Sequence, residues 1–206
     1  TGERISGFVY SPFVAILLSV FAPLRLNAAL GLWGALQAAA IVLYLLLFRR
    51  LVPARLPIQF LFVALTLTSF PLLHTLTWGQ VSLFTTIALL GVLVFRQRDQ
   101  HPVAAALLAF AVSFKWIPLI FMAPFAARGD RRFLAWTAAA LALLLLVVPV
   151  ALLGFERALT FYGSLRMAYA EFGWAATSYN SQYFPHVVVR LARMAGGVAD
   201  PWLPLL

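Results

Sequence analysis

Long apolar runs separated by short clusters of arginine set the pattern of this chain. Asn27 to Phe48, Ile58 to Leu73, Val81 to Phe95 and Leu134 to Leu153 carry no charged residue. Such runs read as membrane-embedded helices, because roughly 20 apolar residues cross a hydrocarbon core and a helix satisfies its own backbone there. Arginines occupy the breaks: Arg49, Arg50 and Arg55; Arg96 and Arg98; Arg128, Arg131 and Arg132. By the positive-inside rule these three loops are cytoplasmic. Asn27 to Phe48 then runs inward, Ile58 to Leu73 outward and Val81 to Phe95 inward, which puts His74 to Gln80 on the outer face.

The stretch from His101 to Ala127 begins and ends at cytoplasmic loops, with Lys115, Trp116 and Pro118 near its middle. It reads as a helical hairpin or two broken helices. Each arm of about a dozen residues rises roughly 18 Å, too little to cross straight through. The tip would lie within the membrane or at its outer boundary. Leu134 to Leu153 returns the chain outward, and Gly154 to about Asp200 forms the longest polar stretch, outside. Pro12 to Phe21 is too short for a span and reads as a juxtamembrane or re-entrant helix, with Pro12 in its first turn and Pro23 ending it. The expected fold class is all-α: a polytopic transmembrane helical bundle with about six membrane-embedded helical segments plus short juxtamembrane helices. Residues 1–206 are read as a single transmembrane domain, cut at both ends from a longer protein, with a first span and outer loop expected ahead of Thr1.

Composition excludes the soluble alternative. Hydrophobic residues make up 64% and charged residues 10% of the chain, against roughly 25% charged in a soluble domain. A globule of this composition would lack a polar coat. The net charge of +9 comes from fourteen arginines and one lysine. In a soluble protein that balance would suggest nucleic acid; here it reads as topology, and no nucleic-acid partner is expected. With no cysteine, disulfides and thiolate metal sites fall away.

Candidate chemistry is concentrated in three places. Lys115 is the only lysine and sits between two apolar arms. A membrane-embedded cation costs several kcal/mol and usually faces a polar cavity or a partner, and a compact ammonium with three donors suits a phosphate at the membrane boundary. The competing explanation is a lysine that snorkels to water and only anchors the tip. The second place is the outer turn with His74, Trp78, Gly79 and Gln80, where an indole face and an amide suit a sugar as well as an interfacial aromatic belt. The third is the outer tail, with Arg157, Arg166, Tyr169, Glu171, Trp174 and the string from Tyr179 to His186, which includes Asn180 and Gln182. No phosphate-binding Gly-Lys-Ser/Thr loop, His-Glu-x-x-His motif or nucleophile elbow occurs. No acidic pair is spaced to hold a metal, and neither metal nor cofactor is expected. Asp99 and Asp130 fall in cytoplasmic loops. Within the chain, only Glu3 and Glu171 stand as outer candidates for a general base.

Three segments in order, Phe8-Val9-Tyr10-Ser11-Pro12-Phe13, Trp78-Gly79-Gln80-Val81-Ser82-Leu83 and Phe114-Lys115-Trp116-Ile117-Pro118-Leu119, resemble the integral-membrane glycosyltransferases of family 87. These are polyprenyl-phosphate-mannose-dependent mannosyltransferases of the GT-C class. The resemblance implies a GT-C-like bundle that takes a hexose, mannose by analogy, from a polyprenyl-phosphate-sugar donor to a lipid or glycan acceptor. It implies an enzyme of the cell envelope, in a bacterial cytoplasmic membrane among membrane lipids, with its site on the extracytoplasmic side. It places an acidic catalytic residue in a first outer loop ahead of Thr1, so the fragment alone is expected to be inactive. Lys115 would hold the donor phosphate; Gln80, Trp78 and His74 would line the sugar side; Tyr10, Asn180 and Gln182 are further substrate-binding candidates. Where family members show Asn-Gln-Ser, this chain has Asn180-Ser181-Gln182. A transporter or flippase of a lipid-linked or anionic solute is the main alternative, since transporters also use broken helices and buried cations. A non-catalytic scaffold subunit and another GT-C branch are the others.

Overall fold

A computed structural model describes residues 10–52 and 55–171, with side chains as far as Leu165. Every regular element among them is helical. The chain divides into two compact units, Tyr10–Phe155 and a second that contains most of the final helix.

The first unit starts with α1 (Pro12–Leu18), continued by a 3-10 turn at Ser19–Phe21. Pro12 stands at its first position, where the missing N–H costs nothing. Ser11 does not cap the helix with its side chain; its hydroxyl donates to the Ser113 carbonyl at 2.8 Å. That bond ties the start of α1 to the far end of α6. Helix α2 (Leu26–Leu51) is 26 residues long and apolar around its whole circumference. At 1.5 Å per residue it measures about 39 Å, enough to cross a bilayer. Arg49 and Arg50 fill its last turn, where the helix dipole favours cations.

The stretch expected to run straight from Ile58 to Leu73 is instead two helices, α3 (Leu56–Leu67) and α4 (Phe70–Thr77), bent by 44° at the break. Pro71, at the first turn of α4, supplies the reason: it has no N–H to give to the carbonyl four residues back, and its ring crowds that carbonyl. The Thr68 and Ser69 hydroxyls donate to the Ala64 and Thr66 carbonyls, each at 2.8 Å, and so repair the frayed ladder. His74, expected in the outer loop, lies in the last turn of α4.

Helices α5 (Ser82–Arg96) and α6 (His101–Phe114) form an antiparallel hairpin, turned by Asp99 at φ 53°. Eight of the 14 residues of α6 are buried, against only Gln37 and Ala40 in α2; α6 is therefore the centre of the unit and α2 a lipid-facing wall. Ala104, Ala105, Leu108 and Val112 of α6 pack with Val92 and Phe133, the small side chains letting neighbouring backbones approach closely. The hairpin expected between His101 and Ala127 breaks at Lys115. A 3-10 stretch (Ile117–Phe121) and α7 (Met122–Ala127) carry the chain back. Next, α8 (Arg131–Ala142), a π-helical stretch (Leu143–Val147) and α9 (Val148–Leu153) form one 23-residue rod. The wide turn comes just before Pro149, where a backbone donor is missing.

Among the described residues, α2 and the α8–α9 rod are long and apolar enough to cross a membrane, and the bent α3–α4 pair counts as a third if the two helices form one span. The other apolar helices are 10–17 residues long and fall short by that measure. Past Gly154 (φ 85°), part of the stretch read as polar forms α10 (Phe155–Glu171), which from Glu156 onward belongs to the second unit. Glu156 in its first turn complements the dipole there.

Candidate functional site

Lys115 follows the last residue of α6. Its backbone swings to an extended conformation (φ −147°, ψ 139°) while its N–H still donates to the Ala111 carbonyl. Pro118 enforces the break, since it cannot donate within a continued helix. The Lys115 ammonium donates to Ser82 Oγ at 2.8 Å, and Ser82 Oγ donates to Gln80 Oε1 at 3.2 Å. Gln37 of α2 donates from Nε2 to the Gln80 carbonyl at 2.9 Å. A side chain from each of α2, α5 and the α6 terminus thus meets at the turn that leads into α5. Among the described residues both ion pairs involve Asp130, so Lys115 has a hydroxyl but no carboxylate as its partner. An ammonium held by one neutral group keeps donors and charge for an anion.

The turn itself is tightly fixed. Gly79 holds φ at 59°, and a Cβ there would lie 3.2 Å from the Trp33 indole nitrogen. Trp33 packs against Phe84 (ring centroids 5.4 Å apart) and edge-on against Phe21 at 5.9 Å. Tyr10 is half-buried and packs on the cluster of Val14, Val81 and Phe114, next to Lys115 in the chain. His74 lies in the last turn of α4 and Trp78 follows at its C-terminal end. Phe70 stacks on His74 at 5.5 Å, and Trp78, one turn further on, lies tilted against His74 at 5.9 Å, with Trp78 68% exposed. Of the sequence candidates, Lys115 and Gln80 are joined through Ser82, Tyr10 packs on Val81 and Phe114, their neighbours in the chain, and among the described residues no side-chain hydrogen bond links His74 or Trp78 to Lys115 or Gln80. Asn180 and Gln182 lie outside the described residues, as do Glu3 and the side chains of Arg166, Tyr169, Glu171 and Trp174.

Three participants escaped the sequence reading. Ser82 was quoted only as part of a longer segment, and Trp33 resembles any aromatic in a span. Gln37 did carry a signal: a single amide inside an apolar helix is costly and needs a partner.

At the opposite end of α5 lies a second polar cluster. The Arg96 guanidinium pairs with Asp130 and bonds to the His101 ring at 2.8 Å. It also lies over Phe125 and Phe133, 5.4 and 5.1 Å from their centroids. Asp130 additionally accepts from the Phe133 N–H at 3.1 Å, capping α8. These loop charges, read from sequence as topology signals, also bind α5, α6 and α8 to one another. The 15 residues of α5 separate the two clusters by about 22 Å, so Lys115 and the Arg96 cluster lie at opposite ends of the hairpin.

No curated protein and no solved structure matches the chain. A family model, however, matches residues 8–206, nearly the whole sequence and every segment just described. The chain belongs to glycosyltransferase family 87.

Proposed function

We propose that this protein, in its intact form, transfers a hexose from a polyprenyl-phosphate-sugar donor to a lipid or glycan acceptor at the extracytoplasmic face of a membrane. Family membership supplies glycosyl transfer. The observation that carries the donor reading is Lys115: a cation with no carboxylate partner among the described residues, hydrogen-bonded to Ser82, at the end of α5 opposite the arginine-marked loop. A lipid-linked sugar phosphate needs its anionic head at the membrane boundary and its tail in hydrocarbon. On this reading the shorter helices α1, α5, α6 and α7 are also membrane-embedded, completing the bundle that the sequence suggests.

In the transfer step, the bond from the anomeric carbon to the phosphate oxygen breaks, and its electron pair leaves with the polyprenyl phosphate. The acceptor hydroxyl oxygen bonds to that carbon, and its proton goes to a carboxylate general base, the residue type that the family resemblance implies. Negative charge grows on the departing phosphate, so a fixed ammonium there stabilises the transition state more than the ground state. Ser82 holds the Lys115 ammonium, Gln80 orients Ser82, and Trp78 and His74 offer ring faces to the sugar.

The test is transfer by the intact protein in membranes from a radiolabelled polyprenyl-phosphate sugar, comparing wild type with Lys115→Met. The expected result is a fall in kcat/KM of about 100-fold or more, in keeping with the loss of a charge-assisted contact at the reacting group, with membrane insertion preserved. Equal transfer by both would reduce Lys115 to an anchor, and absence of transfer from any such donor would favour transport.

A further inference from the structure

We infer that Gln37 is a positioning residue for the Lys115 site, an inference that rests on the donor-binding role proposed for that site. Gln37 lies in the middle of a lipid-facing helix, yet it is 3% exposed and, with Ala40, is one of the two buried residues of α2. Trp33 is one turn earlier on the same face. Together they grip one turn of chain: Trp33 lies against Gly79, and Gln37 Nε2 donates to the Gln80 carbonyl. The Gln80 side chain then accepts from Ser82, which accepts from Lys115. Rotation of the Gln80 peptide would swing its Oε1 away from Ser82 and free the ammonium.

The second observation is an unpaired atom. Gln37 Oε1 is buried and has no hydrogen-bond partner among the described residues. An orphaned buried acceptor is destabilising, so Gln37 is a poor choice for stability alone. Replacing it by methionine removes that orphan while leaving the Gln80 carbonyl without its donor. The two effects oppose each other, and stability should change little while the site loosens.

The experiment compares wild type, Gln37→Met, Lys115→Met and the double variant of the intact protein in membranes. Gln37→Met is expected to insert normally, melt within a few degrees of wild type, and lose about tenfold in kcat/KM, the size of one hydrogen bond. The double variant is expected to be no worse than Lys115→Met alone, because Gln37 acts through Lys115. A second readout needs no transfer at all: modification of Lys115 by an amine-reactive reagent, read by mass spectrometry, should be several-fold faster in Gln37→Met. Unchanged transfer in Gln37→Met, or additive losses in the double variant, would overturn the inference. If wild type transfers no sugar, the proposed function fails and labelling decides alone: faster modification in Gln37→Met upholds the inference, and equal modification overturns it.

Discussion

Gly79 shows how much one residue can carry. Its left-handed φ is disfavoured for any residue with a Cβ, and the space where that Cβ would stand is bounded by Trp33. Gly79→Ala is expected to lower stability by about 1–2 kcal/mol from backbone strain alone, read as an earlier thermal unfolding transition in detergent. Transfer should fall as well, because Trp78 and Gln80 flank the strained position. Lys115 could be singled out from the chain because a solitary lysine between apolar arms has few innocuous explanations. Its partner Ser82 could not, since serine is unremarkable in a helical span and only three-dimensional proximity distinguishes it. Gln37 falls between these cases: its cost was visible in the sequence, but the carbonyl that repays it belongs to a turn 43 residues away.

At the scale of elements, hydrophobic runs and arginine clusters located the helices well, because both follow from the bilayer and need no tertiary information. The breaks were harder. Pro118 announced the interruption at Lys115, whereas Pro71 was passed over inside an apolar run and proved to bend it. Part of the polar stretch after Gly154 is α10, whose low apolarity hid its helical character. Asp130 was read as an ordinary loop carboxylate, but it both caps α8 and pairs with Arg96. Asp130→Ala is therefore expected to cost about 3 kcal/mol, combining a lost cap of about 1 kcal/mol with a part-buried pair broken on one side. Asp130→Asn keeps a capping oxygen and loses the charge, so it should be destabilised less. Thermal unfolding of the two variants separates cap from ion pair, and equal losses would show that the cap contributes nothing.

For the molecule as a whole, the distribution of burial fits a solvent of lipid. In the most apolar window of α2 and of the α8–α9 rod only 11% is buried within the chain, which leaves most of their leucines for hydrocarbon. Orientation can be tested cleanly because the sequence has no cysteine. In sealed right-side-out vesicles, a single cysteine replacing Trp78 should react with an impermeant maleimide, and one replacing Arg98 should react only after the membrane is opened. The reverse pattern would invert the topology and place Lys115 on the cytoplasmic side.

The most direct measurement of the central claim uses Lys115 itself as the probe. Intact protein in right-side-out vesicles is treated with an impermeant amine-reactive reagent, with and without a polyprenyl-phosphate sugar, and modification at Lys115 is quantified. The account predicts labelling from outside that the phosphorylated donor suppresses and the corresponding polyprenol, lacking phosphate, does not. Labelling that appears only in opened or inverted vesicles, or that is indifferent to the donor, would contradict it.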